Sequence, residues 1–376
     1  MRITFILPHA GMAGGIRVVA EYAQELVRMG HKVLLVSQPV VPPPIWQKLK
    51  SWSQKKFSAV DRIDCQSHLD GRGLNHKVLE RSRPVIDTDV PDADVVIATW
   101  WETAEWVNAL APEKGAKVYF IQHHEVFPYL PVERSRATYE LPLHKVVIAQ
   151  WLKHVMAVEY RDVVVDLVPN SIDKLQFFAP VRRKQAIPTV GFLYSSVPFK
   201  GLDVSLAALK LVRMRLPGMR IVSFGSERLR AHLPLPEGTD FFFSPPQDKI
   251  RHVYDQCDVW VTASRSEGFN LPAMEAMACR TPVVSTRTGW PEEVIKSGWN
   301  GVLVDIDNVD ALAEGVEWVL TQDNEKWEIL SSNAFETVSD SSWQASSKLF
   351  ESALLHACRR AERGEIAGRP GYSSCD

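Results

Sequence analysis

The sequence lacks three features that mark common classes of protein. No apolar run approaches the roughly 18–20 residues that a membrane-spanning helix needs. Five cysteines are scattered without the spacing of a metal site or a disulfide framework, which is typical of a reducing compartment. Neither sign of charge dominates, since 43 Lys and Arg residues nearly balance 45 Asp and Glu residues. This near-neutral balance argues against broad nucleic-acid binding.

What the sequence does have is enough apolar mass for two domains. Its 376 residues are 45% hydrophobic and 23% charged, a balance typical of globular proteins. At roughly 100–200 residues per domain, this length favours two domains over one. The opening residues MRITFILPHAG carry a single charge and are typical of a strand rather than of a secretory signal. We therefore expect a soluble, cytoplasmic, two-domain protein.

Short apolar runs alternate with amphipathic helical stretches along nearly the whole chain. The runs are rich in Val and Ile, as expected for parallel strands buried on both faces. The predicted strands of the first half are Ile3–Leu7, Val33–Val36, Val95–Thr99, Val118–Ile121, Val146–Ala149 and Val164–Val168. Those of the second half are Thr189–Leu193, Arg220–Phe224, Asp240–Phe243, Val259–Ala263, Pro282–Ser285 and Gly301–Val304. This alternation predicts an α/β protein with two Rossmann-like, doubly wound parallel sheets, in residues 1–180 and 188–340.

The segment 46–83 departs from this alternation. It carries nine Lys and Arg residues against four acids, together with Trp46, Trp52 and Phe57. A basic, aromatic helix here would suit docking on an anionic membrane surface, which would make the protein peripheral at the inner face of the cell membrane. The alternative is a solvated loop whose aromatic side chains pack back on the first domain.

The most informative stretch is 264–285, which reads SRSEGFNLPAMEAMACRTPVVS. A strand leads into a polar turn, and Pro272 lies where a helix would start. Glu267 in the turn and Glu275 in the helix can both face the crevice at the carboxyl ends of the strands, where ligands of open α/β sheets bind. The intervening backbone amides suit an anion. The stretch therefore predicts a ligand with hydroxyls and phosphates, unless both glutamates are solvent-facing acids at a helix start.

The residues EGFNLPAMEAMACRTPVVST resemble the E-x7-E motif of retaining glycosyltransferases of the GT-B fold, in particular the large family 4. The resemblance extends to SGWNGVLVDIDNVDALAEGVEWVL and back to VPNSID and FKGLDV. It covers the second domain and, more loosely, the first. It implies that the two domains face each other across a cleft and that a last helix, residues 343–361, packs back on the first domain.

The resemblance also implies roles for individual residues. Glu267 matches the family's ligand of the sugar hydroxyls, and Glu275 matches its ligand of the nucleotide ribose. Lys200 matches the lysine that binds the diphosphate, and an ammonium there would offset the charge that grows on the leaving group. The backbone amides that would hold the distal phosphate or the sugar belong to Phe269, Asn270 and Leu271.

One departure from the family pattern concerns a second cation. The family often has an arginine in a G-R-L pattern after the first strand of the second domain, whereas this sequence has Phe192 and Leu193 after Gly191. Arg265, just before the E-x7-E turn, is the candidate substitute. Gly225 ends a strand where the family's nucleotide base and ribose lie, so it is a further candidate donor contact.

Two motifs of the first domain match the family more loosely. Gly14 and Gly15 resemble the glycine pair at which the backbone approaches the donor phosphate without a Cβ in the way, although a simple tight turn is the alternative. The strand VYFIQHHE leads to His123 and His124, either of which matches the family's histidine near the reacting sugar carbon, with His123 the slightly better match. Metal binding by these histidines and Glu125 is a weaker interpretation, because neighbours in a strand point to opposite faces.

We therefore predict a retaining glycosyltransferase that moves a hexose from a nucleotide-diphosphate sugar to a glycan, lipid-linked or small-molecule acceptor. His123 or His124, Lys200 and Glu267 are the candidate catalytic residues, and no essential metal is expected. Closure of the two domains would exclude water from the reaction. The alternatives are another GT-B enzyme such as a sugar-nucleotide epimerase or sugar-phosphate synthase, a non-catalytic sugar-binding protein, and a nicotinamide oxidoreductase, which the missing G-x-G-x-x-G fingerprint disfavours.

Overall fold

The computed structural model describes residues 1–39, 67–369 and 371, and its contacts divide the chain into two compact units. The first unit consists of Met1–Val147, Lys153–Val168 and Ser347–Asp376. The second consists of Ile148–Leu152 and Pro169–Ser346. Each unit contains a parallel sheet flanked by helices, so the predicted fold class of two Rossmann-like α/β domains is confirmed.

The first unit is built on a seven-stranded parallel sheet. Its strands are β1 (Arg2–His9), β2 (Lys32–Gln38), β3 (Asn75–Val78), β4 (Val95–Ala98), β5 (Ala116–Ile121), β6 (His144–Val147) and β7 (Val165–Leu167). The accompanying helices are α1 (Gly14–Arg28), α2 (Trp101–Ala109), α3 (Val132–Thr138) and α4 (Gln150–Glu159). The strand order is β3-β2-β1-β4-β5-β6-β7, so it reverses between β1 and β4. In such sheets the crevice outside this reversal point is where ligands bind.

The edge strand β3 is the element of this sheet that sequence patterning did not predict. Its residues NHKV contain no apolar run, and they are exposed or half-buried. The strand forms because its backbone pairs with β2, from Leu34 opposite Asn75 to Ser37 opposite Val78. The central strands β4 and β5 are instead buried at every position, which is why their Val- and Ile-rich runs were recognisable.

The second unit is built on a six-stranded parallel sheet. Its strands are β8 (Thr189–Leu193), β9 (Arg220–Gly225), β10 (Asp240–Phe243), β11 (Val259–Thr262), β12 (Val283–Thr286) and β13 (Gly301–Val304). Its helices are α5 (Leu202–Arg215), α6 (Arg251–Tyr254), α7 (Leu271–Ala278), α8 (Gly289–Val294), α9 (Val309–Thr321) and α10 (Asn324–Val338). The strand order β10-β9-β8-β11-β12-β13 reverses between β8 and β11. The loops that follow these two strands therefore meet at one edge of the sheet.

The core of the second unit lies between this sheet and its helices. Strand residues Val190 and Val284 pack with Leu209 of α5, Val316 of α9 and Trp327 of α10, and all five side chains are fully buried. Burying large apolar side chains contributes roughly 1.5–3 kcal/mol each, so this core holds the strands, and hence the loops at their carboxyl ends, in fixed positions.

The two units divide between Val168 and Pro169, whereas the sequence placed the linker at 180–188. Residues 169–188 belong to the second unit because their side chains form hydrogen bonds with it. The Nε2 of Gln176 donates to the carbonyl of Gln247 at 2.8 Å. The guanidinium of Arg182 donates to the carbonyl of Cys257 and lies over the ring of Trp327.

The last helix, α11 (Trp343–Glu362), joins the first unit from Ser347 onward. The ring of Phe350 stacks on Tyr22 with 4.7 Å between centroids and meets Phe120 edge-on at 5.0 Å. These contacts place a C-terminal aromatic side chain in the core of the N-terminal sheet, so residues distant in sequence share one hydrophobic core.

A histidine–aspartate cluster fastens the same helix to the edge of the sheet. His144 on β6 and His356 on α11 both hydrogen bond to Oδ2 of Asp166 on β7, at 3.0 and 2.9 Å. The guanidinium of Arg360 donates to Nδ1 of His144 at 3.1 Å. Because Nδ1 accepts this bond, the proton of the neutral ring lies on Nε2, toward Asp166. These hydrogen bonds tie α11 to the edge of the sheet.

Among the described residues, no helix combines the length and the apolar character needed to cross a membrane. Residues 46–66 of the basic segment lie outside the described residues. In its described part, Arg72 pairs with Glu21, and Arg83 pairs with Asp89. These two cations are therefore engaged within the first unit, and membrane contact through 46–83 stays a prediction.

Candidate functional site

The loops after β8 and β11 are joined to each other at the edge of the second sheet. The carbonyl of Phe199 accepts a hydrogen bond from the backbone amide of Arg265 at 2.7 Å. Lys200 ends a short 3-10 turn, and Gly201 follows it with a φ of +62°. A Cβ on Gly201 would lie 1.9 Å from the carbonyl oxygen of Ala263. Glycine is therefore required here, and its close approach to β11 places Lys200 beside the E-x7-E loop.

Lys200 and Glu267 form an ion pair at this junction. The Nζ of Lys200 lies 2.8 Å from Oε1 and 2.9 Å from Oε2 of Glu267. The hydroxyl of Ser264 donates to Oε1 of the same carboxylate at 2.7 Å. Only 7% of the Glu267 side chain is exposed, against 27% for Lys200. The structure thus brings together two residues that the sequence assigned to one ligand, and it pairs their opposite charges.

The backbone of the loop around Glu267 is held from two sides. Gly289 has a φ of +60°, and a Cβ on it would come within 2.9 Å of both the Glu267 Cβ and the carbonyl oxygen of Phe269. On another side, the indole Nε1 of Trp151 donates to the carbonyl of Gly268 at 2.9 Å. This close packing fixes the backbone conformation of the loop, so the carboxylate of Glu267 is preorganised.

The start of α7 is fixed by Asn270, which adopts a left-handed backbone with a φ of +81°. Its Nδ2 donates to the hydroxyl of Thr262 at 2.7 Å, and its Oδ1 caps the helix by accepting from the amide of Ala273 at 3.4 Å. Asn tolerates the left-handed region better than most residues and is a favoured N-cap. The side chain of Asn270 therefore builds the helix start at which the predicted anion-binding amides lie.

Glu275 lies one turn into α7 and is also buried, with 3% of its surface exposed. The hydroxyl of Tyr254 donates to its Oε2 at 2.7 Å, and Tyr254 itself is fully buried. With Glu267 and Glu275 both buried, the interpretation of the two glutamates as solvent-facing helix-start acids is wrong. Their burial means that each must be matched by a hydrogen bond or a charge.

A pocket opens beside this ion pair at the carboxyl ends of β8 and β11. Its walls are formed by Leu193, Lys200, Ser205, Trp260, Val261, Thr262, Ala263, Ser264, Glu267, Asn270 and Pro272. The pocket therefore lies at the reversal point of the strand order, where open α/β sheets bind their ligands. Glu275 lies outside this lining.

The remaining candidates of the second unit are engaged in contacts of their own. Arg265 forms two hydrogen bonds with Asp203, at 2.9 and 2.7 Å, and a third with Asp307 at 2.7 Å, which raises its pKa. The ring of Phe269 stacks on Trp290 with 5.5 Å between centroids. Leu271 is the first residue of α7. A Cβ on Gly225 would lie 2.5 Å from the carbonyl oxygen of Tyr194, so close backbone packing already requires this glycine.

In the first unit, Gly14 and Gly15 are the first two residues of α1. Neither has a positive φ, so the pair is not required for a left-handed backbone. A Cβ on Gly15 would lie 3.4 Å from the side chain of Gln122, whereas a Cβ on Gly14 would meet nothing within 4 Å. The two glycines thus leave the N-terminus of α1, beside the loop after β5, without side chains.

The two histidines after β5 have different surroundings. The Nε2 of His124 lies 2.7 Å from the hydroxyl of Tyr160, and burial lowers the pKa of His124 to about 4. The Nδ1 of His123 lies 3.0 Å from the carbonyl of His124. A carbonyl can only accept, so Nδ1 of His123 carries the proton and Nε2 of the neutral ring is an acceptor. Both side chains are half-buried, and the contact of His124 with Tyr160 makes His123 the better chemical candidate.

The third residue of the predicted turn, Glu125, is fully buried, and burial raises its pKa well above the usual range. Its Oε2 accepts from the backbone amide of Trp101 at 2.8 Å, and its own amide donates to the hydroxyl of Tyr139 at 2.7 Å. Glu125 therefore ties the histidine turn to the start of α2. Trp101 is itself buried.

Sequence reasoning missed Ser264, Tyr254 and Gly289, each of which contacts the two glutamates or their loop. Ser264 lies three residues before Glu267, a spacing that could have suggested a local hydrogen bond. Tyr254 and Gly289 reach the loop only through the fold, and no local pattern marks them.

Comparison with known proteins points to one family for part of the chain. Residues 174–337 match the family model described as glycosyl transferases group 1. The D-inositol 3-phosphate glycosyltransferase of Mycobacterium marinum is 30% identical over 229 residues, which make up 54% of this chain and 47% of that protein. The match therefore spans about half the length of this curated relative.

Solved structures resemble nearly the whole chain. The sucrose-phosphate synthase of Thermosynechococcus elongatus covers 97% of this chain and 100% of its own, with a TM-score of 0.69 and 15% identity. Anabaena HepE, in complex with UDP and glucose, covers 95% of this chain and 100% of its own, with a TM-score of 0.68 and 14% identity. At sequence identities this low, the similarity supports a shared fold and nothing further. Residues 174–337 are thus similar in sequence to the glycosyl transferases group 1 family, and the chain has the GT-B fold of two Rossmann-like parallel-sheet domains.

Proposed function

We propose that this protein is a retaining glycosyltransferase that moves a hexose from a nucleotide-diphosphate sugar to a glycan, lipid-linked or small-molecule acceptor. The observation that carries the proposal is the convergence of Lys200 and Glu267 on one pocket at the reversal point of the second sheet. That pocket lies within the segment similar to glycosyl transferases group 1. A cation and a hydroxyl acceptor side by side suit a ligand in which a sugar is joined to a diphosphate.

In this proposal the donor is held by the second unit. Lys200 binds the diphosphate, Glu267 accepts hydrogen bonds from the sugar hydroxyls, and Glu275 accepts them from the ribose. The helix start capped by Asn270 offers backbone amides and the positive end of a helix dipole to a phosphate or sugar oxygen.

The same residues favour departure of the diphosphate in a same-face displacement. As the bond between the sugar carbon and the phosphate oxygen breaks, negative charge grows on the diphosphate, and Lys200 stabilises it. The departing phosphate oxygen accepts the proton of the attacking hydroxyl. Glu267 is paired with Lys200 and Glu275 with Tyr254, so both carboxylates are set up as hydrogen-bond acceptors, which supports a mechanism without a carboxylate nucleophile.

We assign the acceptor to the first unit, with His123 as the histidine that acts near the reacting centre. The proton on Nδ1 of His123 makes its Nε2 the ring nitrogen that can accept a hydrogen bond, and Nε2 of His124 lies 2.7 Å from the hydroxyl of Tyr160. Gly14 and Gly15 supply backbone amides at the start of α1. No essential metal is part of the proposal, which predicts that transfer continues in excess EDTA.

Comparison of donors tests the proposal directly. The midpoint temperature of thermal unfolding of the full chain should rise in the presence of one of the UDP-, GDP- and dTDP-sugars, because a ligand that binds the folded state stabilises it. The UDP complex of HepE makes UDP-sugars the first to try, and the M. marinum relative adds inositol phosphate to the acceptor panel. A slow release of sugar from the stabilising donor would identify the transferred hexose.

Two variants then test the assigned roles. Lys200→Ala should lower kcat by roughly 100-fold or more, with a smaller change in donor affinity, because its contact strengthens as charge develops. Glu275→Ala should chiefly weaken donor binding. Lys210→Ala, an exposed lysine on α5, is the matched control and should behave as wild type. Wild-type transfer rates in both Lys200→Ala and Glu275→Ala would overturn the site assignment.

A further inference from the structure

The two residues proposed to hold the diphosphate and the adjoining sugar of the donor form an ion pair with each other in the structure. Nζ of Lys200 lies within 2.9 Å of both carboxylate oxygens of Glu267. With 7% of its side chain exposed, Glu267 depends on Lys200 and on the hydroxyl of Ser264 to balance its charge. Any ligand that attracts the ammonium therefore acts on this carboxylate as well.

The backbones on either side of the pair leave little room for adjustment. Lys200 is followed by Gly201, whose missing Cβ lets the chain pack against Ala263, and the Glu267 loop packs against Gly289 in the same way. The carbonyl of Phe199 accepts from the amides of the loop, at 2.7 Å from Arg265. Only the side chains can respond when a ligand enters, so the ammonium must turn toward a phosphate while the carboxylate stays in place.

We propose that the Lys200–Glu267 ion pair makes the site favour the complete nucleotide sugar over the nucleoside diphosphate that remains after transfer. This inference rests on the proposed function. A diphosphate draws Lys200 away from Glu267 and leaves a buried carboxylate without its cation, which is costly. The hydroxyls of a sugar replace the lost donors, whereas a nucleoside diphosphate brings none to that position. The pair therefore weakens the hold on the product once the sugar has left.

Glu267 weakens the binding of a nucleoside diphosphate whether or not the ion pair with Lys200 opens completely. An ammonium has three N–H donors, so Lys200 can contact a phosphate while it still touches Glu267. In that arrangement the negative charge of Glu267 still repels the diphosphate and occupies part of the ammonium. Glu267 opposes the nucleoside diphosphate in both cases and assists only a ligand that carries hydroxyls.

The experiment is a calorimetric titration of the full chain with UDP, GDP or dTDP, whichever binds, and with the matching nucleotide sugar. Glu267→Gln keeps the shape of the side chain and removes its charge. We expect this variant to bind the nucleoside diphosphate about threefold to tenfold more tightly than wild type and the nucleotide sugar about tenfold or more weakly. A residue that only contacts the sugar would leave the nucleoside diphosphate affinity unchanged.

Two controls separate this mechanism from simpler effects. Asp203→Asn removes a neighbouring carboxylate that pairs with Arg265 instead of Lys200, and it should change the nucleoside diphosphate affinity less than twofold. In a Lys200→Gln background, Glu267→Gln should tighten nucleoside diphosphate binding less than it does in wild type, because only the direct repulsion between the carboxylate and the diphosphate is then removed. Urea unfolding of each variant establishes that it is folded.

The outcomes distinguish the inference from the function on which it rests. Unchanged or weaker nucleoside diphosphate binding in Glu267→Gln, with wild-type binding intact, overturns the inference and leaves the proposed function standing. An equal gain in Asp203→Asn also overturns it, since general charge would then explain the effect. If wild type binds neither nucleotides nor nucleotide sugars, both the proposed function and this inference fail.

Discussion

The hydroxyl of Tyr254 should contribute to stability in a way that depends on the charge of Glu275. The two groups lie 2.7 Å apart, and both side chains are almost completely buried. A hydrogen bond to a charged group contributes about 1.5–3 kcal/mol, roughly twice the value for a neutral pair. Tyr254→Phe keeps the ring and its edge-on contact with Trp260, whose centroid is 4.6 Å away, so it removes little besides the bond.

We therefore expect Tyr254→Phe to lower the free energy of unfolding by about 1.5–3 kcal/mol in wild type. In a Glu275→Gln background the same change should cost only about 0.5–1.5 kcal/mol, because the remaining acceptor is neutral. Urea unfolding followed by tryptophan fluorescence measures all four proteins of this double-mutant cycle. Equal costs in the two backgrounds would refute the reasoning, since the carboxylate charge would then play no part in the bond.

Tyr194→Phe is the matched control for this cycle. Tyr194 is a buried tyrosine of the same unit whose hydroxyl donates to the carbonyl of Leu233 at 3.0 Å and accepts from the amide of Arg230 at 2.7 Å. Its partners are neutral, so Glu275→Gln should not alter the cost of removing its hydroxyl. Under the proposed function, Tyr254→Phe should also weaken nucleotide binding, whereas Tyr194→Phe should destabilise the protein without that effect.

Two further predictions concern stability. Gly201→Ala should lower the free energy of unfolding by about 2–4 kcal/mol in urea, because a φ of +62° disfavours Ala and the new Cβ would lie 1.9 Å from the carbonyl oxygen of Ala263. Gly218→Ala is the control and should be nearly neutral, since a Cβ there would meet nothing within 4 Å. Equal losses of stability in the two variants would contradict the predicted clash. Burial lowers the pKa of His124 from 6.5 to about 4. Between these two pH values the unfolded state therefore binds a proton at His124 that the folded state does not bind. The free energy of unfolding should fall by up to about 3 kcal/mol as the pH drops from 6.5 toward 4. His124→Gln should remove that part of the pH dependence, and an unchanged slope of unfolding free energy against pH would count against it.

The elements that sequence patterning predicted best are the buried ones. The bounds predicted for β8, β10 and β13 are those of the structure, and the other predicted strands shift by a few residues at their ends. Strand β3 was missed because its stability comes from backbone pairing with β2 instead of from apolar residues of its own. The division at Val168–Pro169 was also missed, since Gln176 and Arg182 join the second unit through long-range bonds that leave no local pattern.

Candidate site residues were recognisable where the motif itself is local. Glu267, Asn270 and Glu275 lie within nine residues of one another, so a single turn and helix start can be read from the sequence. The residues that pair with Glu267 and Glu275 could not be predicted in this way. Lys200 is separated from Glu267 by 67 residues, and Tyr254 from Glu275 by 21, and neither pairing follows from composition or periodicity.

The sequence by itself determined the class of the fold, the strands of both sheets apart from β3, and the short motif that marks the candidate donor site. It could do so because burial imposes apolar runs on parallel strands and because a helix start requires particular residues. Only the tertiary structure decided that Lys200 neutralises Glu267, that Tyr254 holds Glu275, and that His124 contacts Tyr160 while Nδ1 of His123 carries its proton. These are properties of side chains brought together by the strand order of each sheet, and distances between separate loops are set by that order and not by any one segment.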